Sequence, residues 1–235
     1  LLWEKEDYKF CRYTGTGKTA LFFGCNFSSF YPETTRYLDK LLAEKADVFS
    51  VFDCCGKPVA ELGLEEKEKV ILERLNKKLL AAGVREVVMV CPNCYAFLKG
   101  RLSIPVISIY EKLQELGLGA VIMEEQNIFL PCPDREKKEL LRQIRPFLGA
   151  DPKILSDANC CGLGGCAAVK EPEIAGQMAK SACSIQNASV YCASCAGNIT
   201  RAGGKNIKHL LVQILGREET PDVGHSLWNR IRAGR

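Results

Sequence analysis

Thirteen of the 235 residues are cysteine and only two are histidine. Ten of the cysteines fall into two sets of one form. The first is Cys25, then Cys54-Cys55-Gly56, then Cys91-Pro92-Asn93-Cys94; the second is Cys132, then Cys160-Cys161-Gly162, then Cys192-Ala193-Ser194-Cys195. Sulfur at this density either closes disulfides or binds soft metals. A disulfide framework belongs to short secreted chains with even counts. Here the chain is long, the count is odd, and the segments between cysteines read as helices and strands that need no staples. Metal-bound thiolates in a reducing compartment, the cytoplasm, are the expectation. A CxxC at a helix start brings two sulfurs together, and the helix N-terminus favours their thiolate form. The adjacent pairs put two more on a tight turn. Gly56 and Gly162 are expected to let the backbone pass close to a bulky inorganic ligand.

The donor set narrows the metal. Five thiolates oversupply one tetrahedral zinc, and iron–sulfur clusters are the usual alternative for all-thiolate sites. His209 and His225 are the only histidines and no HExxH occurs, which argues against a histidine-based centre. Cys11, Cys166 and Cys183 are surplus to the two sets and read as inert, Cys166 being the one beside the second set. Gly15-Thr16-Gly17-Lys18-Thr19 resembles the end of a P-loop, but position 12 is Arg12 where the pattern needs glycine, and the segment precedes a strand.

The elements that must position these sulfurs are legible as a repeat. Cys132 lies 107 residues after Cys25, Cys160 lies 106 after Cys54, and Cys192 lies 101 after Cys91. Three landmarks moved by nearly one distance indicate an internal duplication of domain size. In the first half, apolar runs at 20–23, 48–52, 87–90 and 106–109 read as strands. Pro32 opens a helix with Leu38, Leu41 and Leu42 on one face, and 64–82 is a second helix stopped by Gly83. In the second half, 128–130 and 189–191 read as strands, with helices over 135–147, 172–182 and 207–215. Strands alternating with helices predict parallel sheets, hence an α/β fold in each half. The expected units are 1–118 and 119–235, related by a pseudo-two-fold axis, with a basic C-terminal tail folded over the surface. The cysteines then fall at the carboxyl ends of strands, the edge where open α/β sheets bind ligands.

Composition is that of a globular chain: 47% hydrophobic, 26% charged, net charge +4. That charge implies no strong pull toward nucleic acid, no apolar run reaches membrane-span length, and any membrane association is expected through a partner. The chain opens on Leu1 without a charged-then-apolar secretion signal.

The pattern C…CCG…CxxC, present twice over about residues 20–215, resembles the cysteine-rich CCG domain. That family includes the B subunit of heterodisulfide reductase, the iron–sulfur subunit of glycolate oxidase and a lactate-utilisation iron–sulfur protein. Gly24-Cys25, Tyr31-Pro32-Glu33, Pro131-Cys132 and Cys160-Cys161-Gly162-Leu163-Gly164-Gly165 carry the likeness beside the two CxxC motifs. The resemblance implies a [4Fe–4S] cluster, non-cubane where all five cysteines ligate. Its ligands would be Cys25, Cys54, Cys55, Cys91 and Cys94 in the first half, and Cys132, Cys160, Cys161, Cys192 and Cys195 in the second. A related arrangement puts zinc in one half and a cluster in the other. The implied activity is that of an oxidoreductase subunit, reducing a disulfide or a related small molecule by two one-electron deliveries. The alternative is an electron-transfer subunit for a flavin 2-hydroxy-acid dehydrogenase. The gaps from Cys25 to Cys54 and from Cys132 to Cys160 hold 28 and 27 residues, shorter than in typical members. The ferredoxin-like CxxCxxCxxxCP region of some relatives is missing, so the expected partner is an electron-donating ferredoxin-like or flavoprotein subunit.

Overall fold

A computed structural model describes residues 8–156, 160–164 and 170–233. The chain divides into two units, one of residues 1–109 with 225–235, the other of residues 110–224.

The first unit is built on a five-stranded sheet in the order β1-β3-β2-β4-β5. Its strands are β1 (Arg12–Tyr13), β2 (Thr19–Phe22), β3 (Phe49–Phe52), β4 (Glu86–Met89) and β5 (Val106–Ser108). All pair in parallel except β1, an antiparallel edge on β3 that the sequence does not announce. The core strands are continuous apolar runs because they are covered on both faces; Ala20, Leu21, Phe22 and Phe23 are wholly buried. Helix α1 (Gly24–Phe30) follows β2 at once, and α2 (Pro32–Ala46) starts on its proline and stops at Asp47 in the left-handed region. Stacked rings fix α1 to the sheet, Phe23 against Phe52 at 5.1 Å and against Phe27 at 6.1 Å. The short α3 (Lys57–Ala60) leads to α4 (Glu65–Ala81), which buries Ile71, Leu75 and Leu79 and ends before Gly83 at φ +83°. Each such side chain contributes about 1.5–3 kcal/mol by its removal from water. Helix α5 (Pro92–Leu98) follows β4.

In the second unit the strands are β6 (Asn127–Ile128), β7 (Lys153–Ile154), β8 (Ser189–Val190) and β9 (Lys208–His209), all parallel, in the order β7-β6-β8-β9. This reproduces β3-β2-β4-β5 of the first unit, so the two are similar α/β units, as the repeated landmarks imply. Its helices are α6 (Ile109–Glu115), α7 (Glu139–Ile144), α8 (Pro172–Cys183), α9 (Ala193–Arg201) and α10 (Leu210–Ile214).

Several boundaries depart from expectation. The helix expected over 135–147 starts at Glu139, because the buried Asp134 carboxylate accepts from the amides of Leu140 and Leu141 and so defines the helix start. The stretch 207–215 splits into β9 and α10, since Lys208 and His209 pair with Ser189 and Val190. The unit boundary lies at 109/110 and not at 118/119. Gln114 donates to the Gln143 carbonyl, Ala120 N–H donates to the Ile214 carbonyl, and a Cβ on Gly119 would meet Ile214 at 2.8 Å. These contacts tie 110–120 to the second unit. The tail, expected on the second half, forms α11 (Ser226–Ala233) and belongs to the first unit. There Asn229 Nδ2 donates to the Ser29 carbonyl at 3.1 Å, and Arg230 reaches Ser29 Oγ at 3.0 Å and Asn26 Oδ1 at 3.1 Å, all on α1.

Candidate metal centres

Every motif cysteine lies just past the carboxyl end of a strand, and equivalent cysteines follow equivalent strands. Cys25 follows β2 and Cys132 follows β6; the adjacent pair Cys54-Cys55 follows β3 and Cys160-Cys161 follows β7. Cys91 is the N-cap of α5 with Cys94 in its first turn, and Cys192 and Cys195 hold the same places on α9. The strand order reverses between β2 and β4, and between β6 and β8, which opens the edge where such sheets take ligands.

The sulfurs of each set meet. In the first, Cys55 hydrogen-bonds with Cys54 and with Cys94, Cys94 with Cys91, and the Cys25 charge acts on Cys55. In the second, Cys160 bonds with Cys132 and Cys161, Cys161 with Cys195, and Cys195 with Cys192. Four thiols of the first set and all five of the second are neighbours in turn, while Cys25, whose thiol donates to Asn26 Oδ1 at 3.8 Å, acts on the first set through its charge. The contacts run as a chain of neighbours: among the described residues no three His, Cys, Asp or Glu side chains are arranged as a single-ion site. Cys11 and Cys183 join neither chain. Gly165 and Cys166 lie outside the described residues.

Neighbouring sulfurs share protons unequally. Hydrogen bonds from Cys54 and Cys94 hold Cys55 well below the usual thiol range despite burial, while the same contact with Cys55, that with Cys91, and burial drive Cys94 up. In the second set Cys160 is pulled down by bonds from Cys132 and Cys161 and Cys192 by its bond with Cys195, while Cys132, Cys161 and Cys195 are raised. Backbone amides support the low members. Gly162 N–H donates to Cys160 Sγ at 3.3 Å, and the Lys57 amide donates to Cys55. The amides of Ser194 and Cys195 stabilise Cys192 without closing a regular helix cap. Amide donors aimed at thiolates are a recognised means of tuning iron–sulfur centres.

Two expectations about glycines change. Gly56 and Gly162 do not make room for a ligand with their missing Cβ. At φ +85° and +80°, a Cβ there would strike Ile71 Cγ2 at 2.8 Å and the Ala175 carbonyl at 2.9 Å, so these glycines let the turns pack on helices. Gly162 still serves the site through its amide. The glycine whose bare α-carbon faces sulfur is Gly24: at φ +71°, a Cβ would lie 3.0 Å from Cys94 Sγ and 3.3 Å from Cys91 Cβ. Its place immediately before Cys25 was the available signal. Asn198, which donates to the Cys161 carbonyl at 2.5 Å and pins that turn to α9, carries no sequence signal. Nor does Arg135, whose charge helps lower Cys160 and opposes part of the rise at Cys132. Access differs between the sets. Cys54, Cys55, Cys91 and Cys94 are buried and Cys25 is half-buried, whereas Cys132 is exposed and Cys160 half-buried over buried Cys161, Cys192 and Cys195.

Two parallel α/β units, each collecting five thiols at its carboxyl edge, define a cysteine-rich α/β protein with a duplicated all-thiol site. The chain belongs to the CCG cysteine-rich domain family, whose match covers residues 19–99 and 126–200. Over 137 residues it is 31% identical to a protein of Methanocaldococcus jannaschii described as an uncharacterized iron–sulfur protein; the match covers 54% of this chain and 28% of that one. The chain thus spans well under half the length of that relative. An aspartate racemase of Picrophilus torridus aligns with 87% of this chain at 11% identity and a TM-score of 0.40, a likeness too low to bear on fold or function. Among the described residues no helix is long and apolar enough to cross a membrane.

Proposed function

We propose that the chain is an iron–sulfur oxidoreductase subunit of the heterodisulfide-reductase type, in which each five-thiol set holds a [4Fe–4S] cluster. The observation that carries this reading is the pairwise chain of thiols at the carboxyl edge of each unit, five in the second and four in the first with Cys25 acting on them through its charge. Five donors suit a polynuclear core whose irons each need a thiolate, and exceed what one tetrahedral zinc takes. The iron–sulfur description of the archaeal relative supports the same metal. Such clusters supply one-electron storage and delivery when bound.

The protein's own part follows from access and charge. In the first unit Cys54, Cys55, Cys91 and Cys94 shield the site from water, which suits relay. In the second, exposed Cys132 and half-buried Cys160 face solvent, which suits exchange with a disulfide substrate or an electron donor. Arg135, anchored by its bond to the Leu130 carbonyl at 2.9 Å and set over the Phe129 ring, holds a positive charge beside Cys132 and Cys160 that stabilises added electrons there.

Iron, sulfide and zinc analysis of anaerobically prepared protein tests the metal. Iron and sulfide in both units, with a paramagnetic signal on reduction, are expected. Cys161→Ser should lose the signal of the second unit while Cys183→Ser keeps it. Stoichiometric zinc without iron would reject the reading. Turnover of disulfides with a chemical reductant separates a disulfide reductase from a subunit that only passes electrons.

A further inference from the structure

The first unit carries a second polar feature that the thiol sites do not use. A cleft of about 240 Å³ lies among β1, β3, α1, α2 and α11, and three arginines line it: Arg12, Arg36 and Arg232. None of the three has an ion pair among the described residues. Asp39, the one carboxylate of the lining, accepts from Ser50 Oγ at 2.5 Å. The Ser28 hydroxyl also lines the cleft. Its residue is 3% exposed, and it makes no hydrogen bond among the described residues. Neighbouring polar groups are already engaged: Thr35 Oγ1 donates to the Tyr31 carbonyl at 2.7 Å, and Asn229 Nδ2 to the Ser29 carbonyl at 3.1 Å.

Arg12, Arg36 and Arg232 are exposed around the cleft, and three positive charges against one carboxylate leave it net positive. The Ser28 hydroxyl opens onto the same cleft with a proton to donate. An oxyanion entering the cleft meets both. Guanidinium forks match carboxylate and phosphate geometry. Phe52 and Pro32 in the lining give carbon atoms a surface to rest on. The volume falls below the roughly 300–1,000 Å³ of drug-sized pockets, so the occupant is small.

We propose that this cleft binds a small organic dianion, either a dicarboxylate or a phosphate monoester. Arg12, Arg36 and Arg232 take its charged oxygens and Ser28 donates a hydrogen bond. The site is tied to the first thiol set through α11. That helix gives Arg232 to the cleft and, through Asn229 and Arg230, holds α1 at Ser29 and Asn26. Asn26 Oδ1 in turn accepts from the Cys25 thiol at 3.8 Å. A ligand that fixes α11 therefore also fixes the helix bearing Cys25.

Calorimetric titration of the full chain with succinate, glycerol phosphate and inorganic phosphate at low ionic strength tests this, with or without metal. Saturable one-site binding of succinate or glycerol phosphate is expected, and which of them binds decides between the two sources of charge. Arg36→Gln and Arg232→Gln should each weaken it about tenfold or more, the usual scale for a lost charge-assisted contact. Ser28→Ala should weaken it less, and Arg85→Gln, an exposed position outside the lining, should leave it unchanged. Alkylation of Cys25 should slow in the bound state. Absence of binding by either organic dianion, binding of inorganic phosphate alone, or equal weakening by Arg85→Gln would each overturn the proposal. Circular dichroism and the unfolding midpoint identify any variant that has failed to fold, and binding by the other variants then decides the matter.

Discussion

A thiol that donates a hydrogen bond to a neighbouring thiolate must lose its proton before it can bind metal. Cys94 and Cys195 are raised well above the usual thiol range by their sulfur neighbours and by burial, and Cys132 is raised as well. Metal uptake should therefore release protons, and affinity should rise with pH through the neutral range. Titration with Cd²⁺ in buffers of different ionisation enthalpy measures the protons released; no release would show these thiols already ionised. Cys11 behaves oppositely to a reactive thiol. Burial and the Asp53 carboxylate, 3.2 Å from its sulfur, raise it to about 11. It should resist alkylation at neutral pH, and its rate should climb only as pH approaches that value. His209 gives a third residue-level expectation. Burial lowers it from 6.5 to about 3, so the folded chain excludes a proton that the unfolded chain takes up below 6.5. The stability it contributes is complete above pH 6.5 and is lost as pH falls toward 3, at up to about 1.4 kcal/mol per pH unit. His209→Asn keeps an acceptor for the Leu211 amide and should flatten that slope in urea unfolding compared with the parent.

At the scale of elements, the adjacent cysteine pairs depend on how their turns seat against helices. Gly56→Ala places a methyl against Ile71, a side chain that can shift, in a backbone conformation unfavourable to alanine. About 1–3 kcal/mol of destabilisation is expected. Gly162→Ala places the methyl against the Ala175 carbonyl and, at 3.1 Å, the Ala179 amide nitrogen, both backbone atoms of α8 that cannot give without moving the helix. It should cost more than Gly56→Ala. Urea unfolding midpoints compare the two, and the reverse ranking would mean that α8 adjusts more readily than Ile71. The helices carrying CxxC are set by simpler means. Proline or alanine opens them, the preceding cysteine is the N-cap, and the third residue of the helix turns its sulfur to the same edge.

For the whole molecule, the chain path separates sequence neighbourhood from structural membership. Residues 225–233 follow the second unit but pack on α1 of the first, through Asn229 and Arg230. Truncation after Gly224 should loosen the first unit and spare the second. Hydrogen exchange resolves this: amides of α1 and β2 should exchange faster in the truncated chain, while those of β6 and β8 keep their protection. Uniform loss across both units would show that the helix supports the second unit as well.

The repeat, the α/β class and the placing of the motif cysteines at strand ends were legible from residue types and spacing, because apolar strands, helix starts and strand-end cysteines are local signals that recur at a common offset. The sequence read Cys25 and Cys132 onto equivalent strands, and their places after β2 and β6 agree. What it could not determine rests on contacts between distant residues. β9 is two residues long and is a strand only because Ser189 and Val190 lie beside it, so periodicity assigned it to a helix. The unit boundary depends on which side chains Glu111 and Gln114 meet, not on where glycines cluster. Gly24 and Gly56 both adjoin motif cysteines in sequence; packing shows that the missing Cβ of Gly56 faces Ile71 and that of Gly24 the sulfur of Cys94. Arg12, Arg36 and Arg232 converge because β1 pairs with β3 and the C-terminal helix returns to the first unit, and that convergence exists in the tertiary structure alone.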